Sequence, residues 1–152
     1  MLQKVHAKKI SARGGNFAIV ASTYNSRFVD AMLRAAKKEI LRAGGKIEIV
    51  RVPGAYEIPV VAAKLARAQK FSAILCLGVI LRGATTHAQH IGEAVSNALV
   101  QIQIQHEVPV IHEVLLLENV RQAEERCLSR THNRGTEAAQ TALEMARLMT
   151  TL

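Results

Sequence analysis

His87 follows directly on Gly83-Ala84-Thr85-Thr86, a run that reads as a loop opening onto a helix. Free N–H groups at a helix start, reinforced by the helix dipole, make a ready site for an anion such as phosphate. The same positive end disfavours protonation of an imidazole in the first turn, keeping His87 available as a neutral base or transient acid. His90 shares its helix face, but H-x-x-H without a further carboxylate or histidine in register is a poor metal set. Proton transfer is therefore the chemistry expected of His87. Arg126 and Arg134 flank the turn before the last helix, and a planar guanidinium is the side chain best suited to hold phosphate bidentately. Tyr24 and Tyr56 fall in loops rather than at core positions, where a ring can stack on a flat heterocycle. Glu57 can accept hydrogen bonds from ligand hydroxyls. Every one of these types also has a structural reading: a capped helix, a ring lying as a lid on the core, a carboxylate complementing a helix dipole, and solvated arginines.

The elements that must position these residues follow from hydrophobic periodicity. Phe17 to Thr23 reads as a first strand. Val29, Met32, Leu33, Ala36 and Ile40 then recur at spacings of three and four, opposite Arg34, Lys37 and Lys38, and Gly44-Gly45 supplies the stop. Lys46 to Val52 is a second strand, Pro53-Gly54 a turn, and Pro59 opens a helix to Gln69 as its first residue. Ser72 to Gly78 is a third strand. Thr86 and Gln89 form a T-x-x-Q capping box for a helix from His87 to about His106. Val108 to Leu116 is a fourth strand. Asn119 and Gln122 start a helix through Cys127, and a last helix carries Ala139, Ala142, Leu143, Ala146 and Met149 on one side. Strands whose crossovers are helices form a parallel sheet covered on both faces, so the expected fold is an α/β three-layer sandwich with a central four-stranded parallel sheet. Ligands in such sheets bind beyond the carboxyl ends of the strands. The shortlist is then Tyr24-Asn25, Pro53 to Glu57, Val79 to His87, and Leu116 to Asn119.

At 152 residues, 49% of them hydrophobic, the chain is expected to form one domain, residues 16–152, behind a basic arm, residues 1–15. A chain of this length can bury roughly 70% of its unfolded surface without disulfide or metal staples. Cys76 and Cys127 are read as reduced thiols of a cytoplasmic protein. Twenty Lys and Arg against twelve Asp and Glu leave a net charge of +8, and Lys4, Lys8, Lys9 and Arg13 concentrate much of it in the arm. With no tryptophan, two tyrosines and three phenylalanines, no base-stacking platform for single strands is expected, and nucleic acid is set aside as a partner. No charge-free stretch approaches the ~20 apolar residues of a membrane span. The sequence lacks G-x-x-x-x-G-K-[ST], G-x-G-x-x-G and G-x-S-x-G, which removes the common nucleotide-dependent and hydrolase readings.

Taken together, the segments TYN at Thr23 to Asn25, VPGAYEIP at Val52 to Pro59, LGVILRGATTH at Leu77 to His87, PV at Pro109-Val110, ENVRQAEER at Glu118 to Arg126, and NRGTEAA with TALEMA near the end resemble the lumazine synthase family in order and spacing. The resemblance covers nearly the whole chain from Phe17 onward. It implies a flavodoxin-like fold and an obligate oligomer, a pentamer or a multiple of it up to icosahedral shells of sixty subunits. Active sites are expected between adjacent subunits, with the arm either pairing with a neighbouring sheet or facing a shell interior. The activity implied is that of a cytoplasmic transferase of riboflavin biosynthesis, which condenses 5-amino-6-ribitylaminouracil with dihydroxybutanone phosphate. No metal or organic cofactor is implied, and riboflavin synthase is a conceivable further partner.

On this resemblance His87 takes the place of the proton-transferring histidine. Ala84, Thr85 and Arg126 match the phosphate site, with Arg134 where a lysine is usual. Tyr24 stands for the aromatic that stacks on the pyrimidine, Ala55, Tyr56 and Glu57 hold pyrimidine and ribityl groups, and Val79, Ile80 and Leu81 line the remaining wall. The chain departs from the pattern after Pro109-Val110, where Ile111-His112-Glu113 replaces the usual Phe-Gly and places His112 toward the pyrimidine. After His87 the usual aromatic-Asp-Tyr is Ala88-Gln89-His90. A shell-forming homologue that binds flavins or lumazines without turnover is the second reading.

Overall fold

The structure is a computed structural model that describes residues 15–152. All of the expected basic arm except Gly15 lies outside the described residues. The elements alternate as the periodicity requires: β1 (Asn16–Ser22), α1 (Ser26–Arg42), β2 (Lys46–Val52), a 3-10 turn at Ala55–Glu57, α2 (Ile58–Arg67), β3 (Ala73–Leu81), α3 (His87–His106), β4 (Val110–Leu117), α4 (Val120–Cys127) and α5 (Arg134–Met149). The four strands form one sheet in the order β2-β1-β3-β4, and every pairing is parallel.

The period-2 alternation of strand side chains divides the core into two layers. Phe17, Ile19 and Ala21 of β1, with Leu75 and Leu77 of β3, pack under α1, α4 and α5. Ala18, Val20, Ile74 and Cys76 point the other way, under α2 and α3. β3 is buried from Ala73 through Ile80, as expected of an inner strand covered on both faces. α1 buries Phe28, Val29, Met32, Leu33, Ala36 and Ile40. It ends where Gly44, at φ 84°, turns the chain so that Gly44 N–H and Gly45 N–H donate to the Leu41 and Ile40 carbonyls, the left-handed stop that favours glycine.

Four expectations need correction. β3 runs three residues past Gly78, so Val79, Ile80 and Leu81 are strand residues rather than loop. Pro59 is the second residue of α2, behind Ile58. Met149, the last residue of α5, is 36% exposed. The Thr86–Gln89 box does not form. Thr86 makes no side-chain cap bond, and Gln89 instead accepts from Arg82 at 3.4 Å and donates to Glu93 at 2.9 Å. The analogous asparagine start does form, with Asn119 Oδ1 accepting the Gln122 N–H at 2.9 Å.

α5 is seated by a close approach. A Cβ on Gly135 would stand 2.0 Å from the Met32 carbonyl oxygen of α1, a backbone atom that cannot rotate away. We predict that Gly135→Ala lowers stability, because the intrinsic helix gain of about 1 kcal/mol for alanine over glycine is smaller than the strain of parting two packed helices, about 1–3 kcal/mol or more. A thermal melt should show the midpoint falling by at least ~3 °C. An unchanged midpoint would mean that α5 shifts freely along α1.

Candidate active site

The carboxyl ends of β1 and β2 are tied by backbone bonds, and that of β3 by a side-chain amide. Thr23 N–H donates to the Val52 carbonyl at 2.8 Å, and Tyr24 N–H to the Pro53 carbonyl at 2.9 Å. The Asn25 Nδ2 group donates to the Val79 carbonyl at 2.7 Å. Asn25 itself sits at φ 57°, a left-handed conformation that asparagine tolerates better than most residues. It starts α1 while pinning the β1 loop to β3. Arg82 N–H donates to the Leu117 carbonyl at 2.8 Å, and its side chain meets Glu118 at 3.5 Å, so the loop leading to α3 is fastened to the end of β4.

These ends enclose a cleft of about 410 Å³ lined by Tyr24, Asn25, Gly54, Ala55, Tyr56, Val79, Ile80, Leu81, Gly83, Thr85, His87, Ala88 and Ile91. Eight of the site residues expected from sequence therefore meet in one place: Tyr24, Ala55, Tyr56, Val79, Ile80, Leu81, Thr85 and His87. Both tyrosine rings are 65% exposed, an uncommon state for large rings with a core available to them. Gly54 is needed beneath one of them, since a Cβ there would stand 2.8 Å from the Tyr24 ring. The aliphatic wall of β3 offers an apolar side to a flat ligand, and the start of α3 offers a polar one. There the Thr85 hydroxyl, not that of Thr86, accepts the His87 N–H at 3.3 Å. Thr86 Oγ1 instead lies 3.3 Å from His90 Nε2.

Glu57 lies at the rim, with one carboxylate oxygen accepting the Gly54 N–H at 3.0 Å, so it braces the turn that carries Ala55 and Tyr56. Ala84 is exposed in the loop beside the cleft. The shortlist of post-strand residues contained Asn25, Gly54 and Gly83 without a binding role, and sequence reasoning did not place Ala88 or Ile91 at the site. Ile91 was open to inference as the residue one helical turn beyond His87 on the same face.

His112, Arg126 and Arg134 do not line the cleft of their own chain. They gather at β4, the opposite edge of the sheet from β2. His112 Nε2 lies 2.7 Å from Ser96 Oγ of α3, and His112 Nδ1 accepts the Val114 N–H at 3.2 Å. Burial pushes the His112 pKa down. On the other face of β4, Arg134 donates from Nε to Glu113 Oε1 at 2.6 Å and meets Glu137 through Nη1 at 3.2 Å. Burial pushes the Glu113 pKa up, while the nearby Arg134 and Arg126 charges pull it back.

The sequence model of the 6,7-dimethyl-8-ribityllumazine synthase family matches residues 14–150. The chain belongs to this family. It is 40% identical to a 6,7-dimethyl-8-ribityllumazine synthase of Desulfotalea psychrophila over 146 residues, 94% of each chain. It is 39% identical to that of Aquifex aeolicus over 152 residues, 98% of this chain and 99% of the relative. Against a Clostridium kluyveri relative it is 36% identical over 149 residues, 96% and 97% of the two chains. The matches run through both the cleft and the β4 edge.

The two thiols stand apart from this chemistry. Cys76 is sealed within β3 and its pKa is pushed up to about 12 by burial, and burial likewise lifts that of Cys127 to about 11. Thiolate, the reactive form, is scarce in both at pH 8. We expect a thiol-reactive dye to label neither cysteine of the native protein within minutes at that pH, and both in denaturant. Rapid native labelling of either would place it outside the core.

Proposed function

We propose that the cleft around His87 and the β4 edge carrying His112, Arg126 and Arg134 are two halves of one active site, completed between neighbouring copies of the chain. In that site the enzyme performs the lumazine synthase step of riboflavin biosynthesis. The observation that carries the reading is the separation of the halves. His112 pairs in register with Cys76, whereas the strand ends at the cleft are marked by the pairing of Leu81 with Leu117. The five residue steps from His112 to Leu117 span roughly 16 Å of strand. One ligand cannot bridge that gap within a chain, but a second chain can present its β4 edge to the cleft. Because cleft and edge are different surfaces, the contact is head-to-tail and has to close as a ring. The pentamer implied by the sequence resemblance, or a multiple of it, meets that requirement.

In the joint site Tyr24 stacks on the pyrimidine, with His112 of the neighbouring copy on its far side. Ala55, Tyr56 and Glu57 hold pyrimidine and ribityl groups, and Val79, Ile80 and Leu81 form the apolar wall. The phosphate of the four-carbon ketone lies between the helix start at Ala84-Thr85 and the neighbour's Arg126, with Arg134 behind it. The pyrimidine amine attacks the ketone and water leaves to give an imine. Phosphate is then eliminated, the product tautomerises, and the ribityl-bearing nitrogen closes the ring with loss of a second water, giving 6,7-dimethyl-8-ribityllumazine. His87 shuttles the protons. Holding two substrates in register contributes up to ~7–11 kcal/mol, and acid–base assistance a factor of about 10² to 10⁴.

Among the described residues no helix is long and apolar enough to cross a membrane. The two buried free thiols fit the reducing cytoplasm that we assign as its location.

His87→Ala is expected to cut the rate of lumazine formation by roughly 10² to 10⁴ without abolishing it, and Arg126→Ala to raise the KM for the phosphate substrate. Mixing the two variants under conditions of subunit exchange is the direct test of a shared site. A ring that pairs an intact cleft with an intact edge regains wild-type sites, so at a phosphate-substrate concentration far below the KM of Arg126→Ala the absorbance at the lumazine band should recover to about a quarter of the wild-type rate in an equal mixture that exchanges at random. No recovery despite demonstrated exchange would mean that each site is built from one chain.

A further inference from the structure

Glu113 is the one charged side chain buried among the described residues, 5% exposed. It projects from the middle of edge strand β4 toward the N-terminus of α5, where Arg134 Nε donates to it at 2.6 Å. The surrounding turn leaves little freedom to this pair. Asn133 Oδ1 accepts the Gly135 N–H at 2.7 Å, and Asn133 Nδ2 donates to the Cys127 carbonyl at 2.6 Å, so the end of α4 and the start of α5 move as one body. Glu137 takes a second edge of the Arg134 guanidinium at 3.2 Å. Arg126 stands one residue before Cys127, close enough for its charge to act on Glu113. Among the described residues Arg126 has no carboxylate of its own within ion-pair distance.

The two arginines are thus unequal. Arg134 is bound to two acids and contributes little net charge at the β4 edge, whereas Arg126 is unpaired. We propose that Glu113 is a positioning residue of the phosphate subsite, which fixes the aim of the Arg134 guanidinium and offsets its charge, leaving Arg126 as the cation that grips the phosphate. The proposal rests on the reading of Arg126 and Arg134 as the phosphate side of a shared site. It accounts for a buried acid next to an anion subsite, where a carboxylate on its own would repel the ligand. The subsite must also release inorganic phosphate once the C–O bond to the leaving phosphate breaks. Two fully free arginines would hold that product more tightly than one, because charge-assisted bonds from a second guanidinium would add to the first.

The test uses the assembled full-length enzyme and inorganic phosphate as the probe. Glu113→Gln keeps the shape of the side chain and removes its charge, which frees Arg134. The inhibition constant for phosphate should fall at least fivefold, an effect of the size expected when a charge a few ångströms away is deleted (about a factor of five to ten). The KM for the pyrimidine substrate should stay within about twofold, since only the anion subsite is altered. Glu113→Asp restores the charge on a shorter arm and should return the phosphate constant toward wild type. An unchanged phosphate constant in Glu113→Gln, or both KM values moving together, would overturn the proposal and leave a purely structural ion pair. Should Glu113→Gln fail to assemble, Glu113→Asn removes the same charge and decides in its place: a fall in the phosphate constant with an unchanged pyrimidine KM supports the proposal, and an unchanged constant or parallel changes overturn it. Arg126→Ala separates this from the reading beneath it. If that variant binds phosphate as the wild type does, the phosphate subsite itself is misplaced. If it loses phosphate while Glu113→Gln is silent, only the role of Glu113 falls.

Discussion

The chain leaves β1 in one direction to pair with β2, then crosses back over to form β3 on the other side of β1. That reversal is the constraint on which the site depends. Where connections leave two adjacent strands in opposite directions, their carboxyl ends part and a crevice opens between the loops. Here β1 and β3 are those strands, and Asn25 of one loop is bonded to the Val79 carbonyl of the other strand. The crevice is therefore fixed by one side-chain amide across β1 and β3 and by backbone bonds across β1 and β2, and the other side chains furnish it. Tyr24, Ala55 and His87 come from three separate connections; Thr23 and Tyr24 share the Pro53 carbonyl, which joins the first two, and the Arg82 N–H bond to the Leu117 carbonyl fastens the third.

The division of charge follows from the same geometry. The first turn of α3 carries the positive end of a twenty-residue helix, where free N–H groups and the dipole favour an anion. Arg126 and Arg134 are not packed beside it in the same chain. They stand instead at the far edge of the sheet, one of them bound to Glu113 and Glu137. Burying an ion pair gains little net stability, but removing one partner from such a pair costs about 3–5 kcal/mol. Glu113 and Arg134 are bound to each other by that asymmetry, whatever the pair contributes to the fold.

The parts legible in sequence were those governed by local periodicity. The buried face of α1 matches the three-and-four spacing, and eight site residues fell in one cleft because residues beyond parallel strands have nowhere else to converge. The T-x-x-Q pattern at Thr86 failed because Gln89 has stronger competitors, a guanidinium and a carboxylate brought near by folding. β3 was cut short at Gly78 because glycine weakens a strand locally. Yet a Cβ there would meet the Ser22 hydroxyl, Ile58 and Val114 at 3.3 Å, so this glycine marks tight packing rather than a strand end. The pairing of Glu113 with Arg134 joins an edge strand to a helix start twenty-one residues on, a distance at which no spacing rule operates.

His112 shows why the replacement of an apolar ring by a titratable one need not bring new chemistry. Its Nδ1 accepts the Val114 N–H, so the neutral ring carries its proton on Nε2, where it meets Ser96 Oγ. Ser96 in turn donates to the Gly92 carbonyl at 2.8 Å, which completes a chain of donors and acceptors with no lone pair of the ring left over. To act as a base the ring would have to give up the Val114 bond and take on charge, and the desolvation it meets already opposes that charge. The arrangement holds the imidazole as a flat plate at the β4 edge, with both ring nitrogens engaged within the chain.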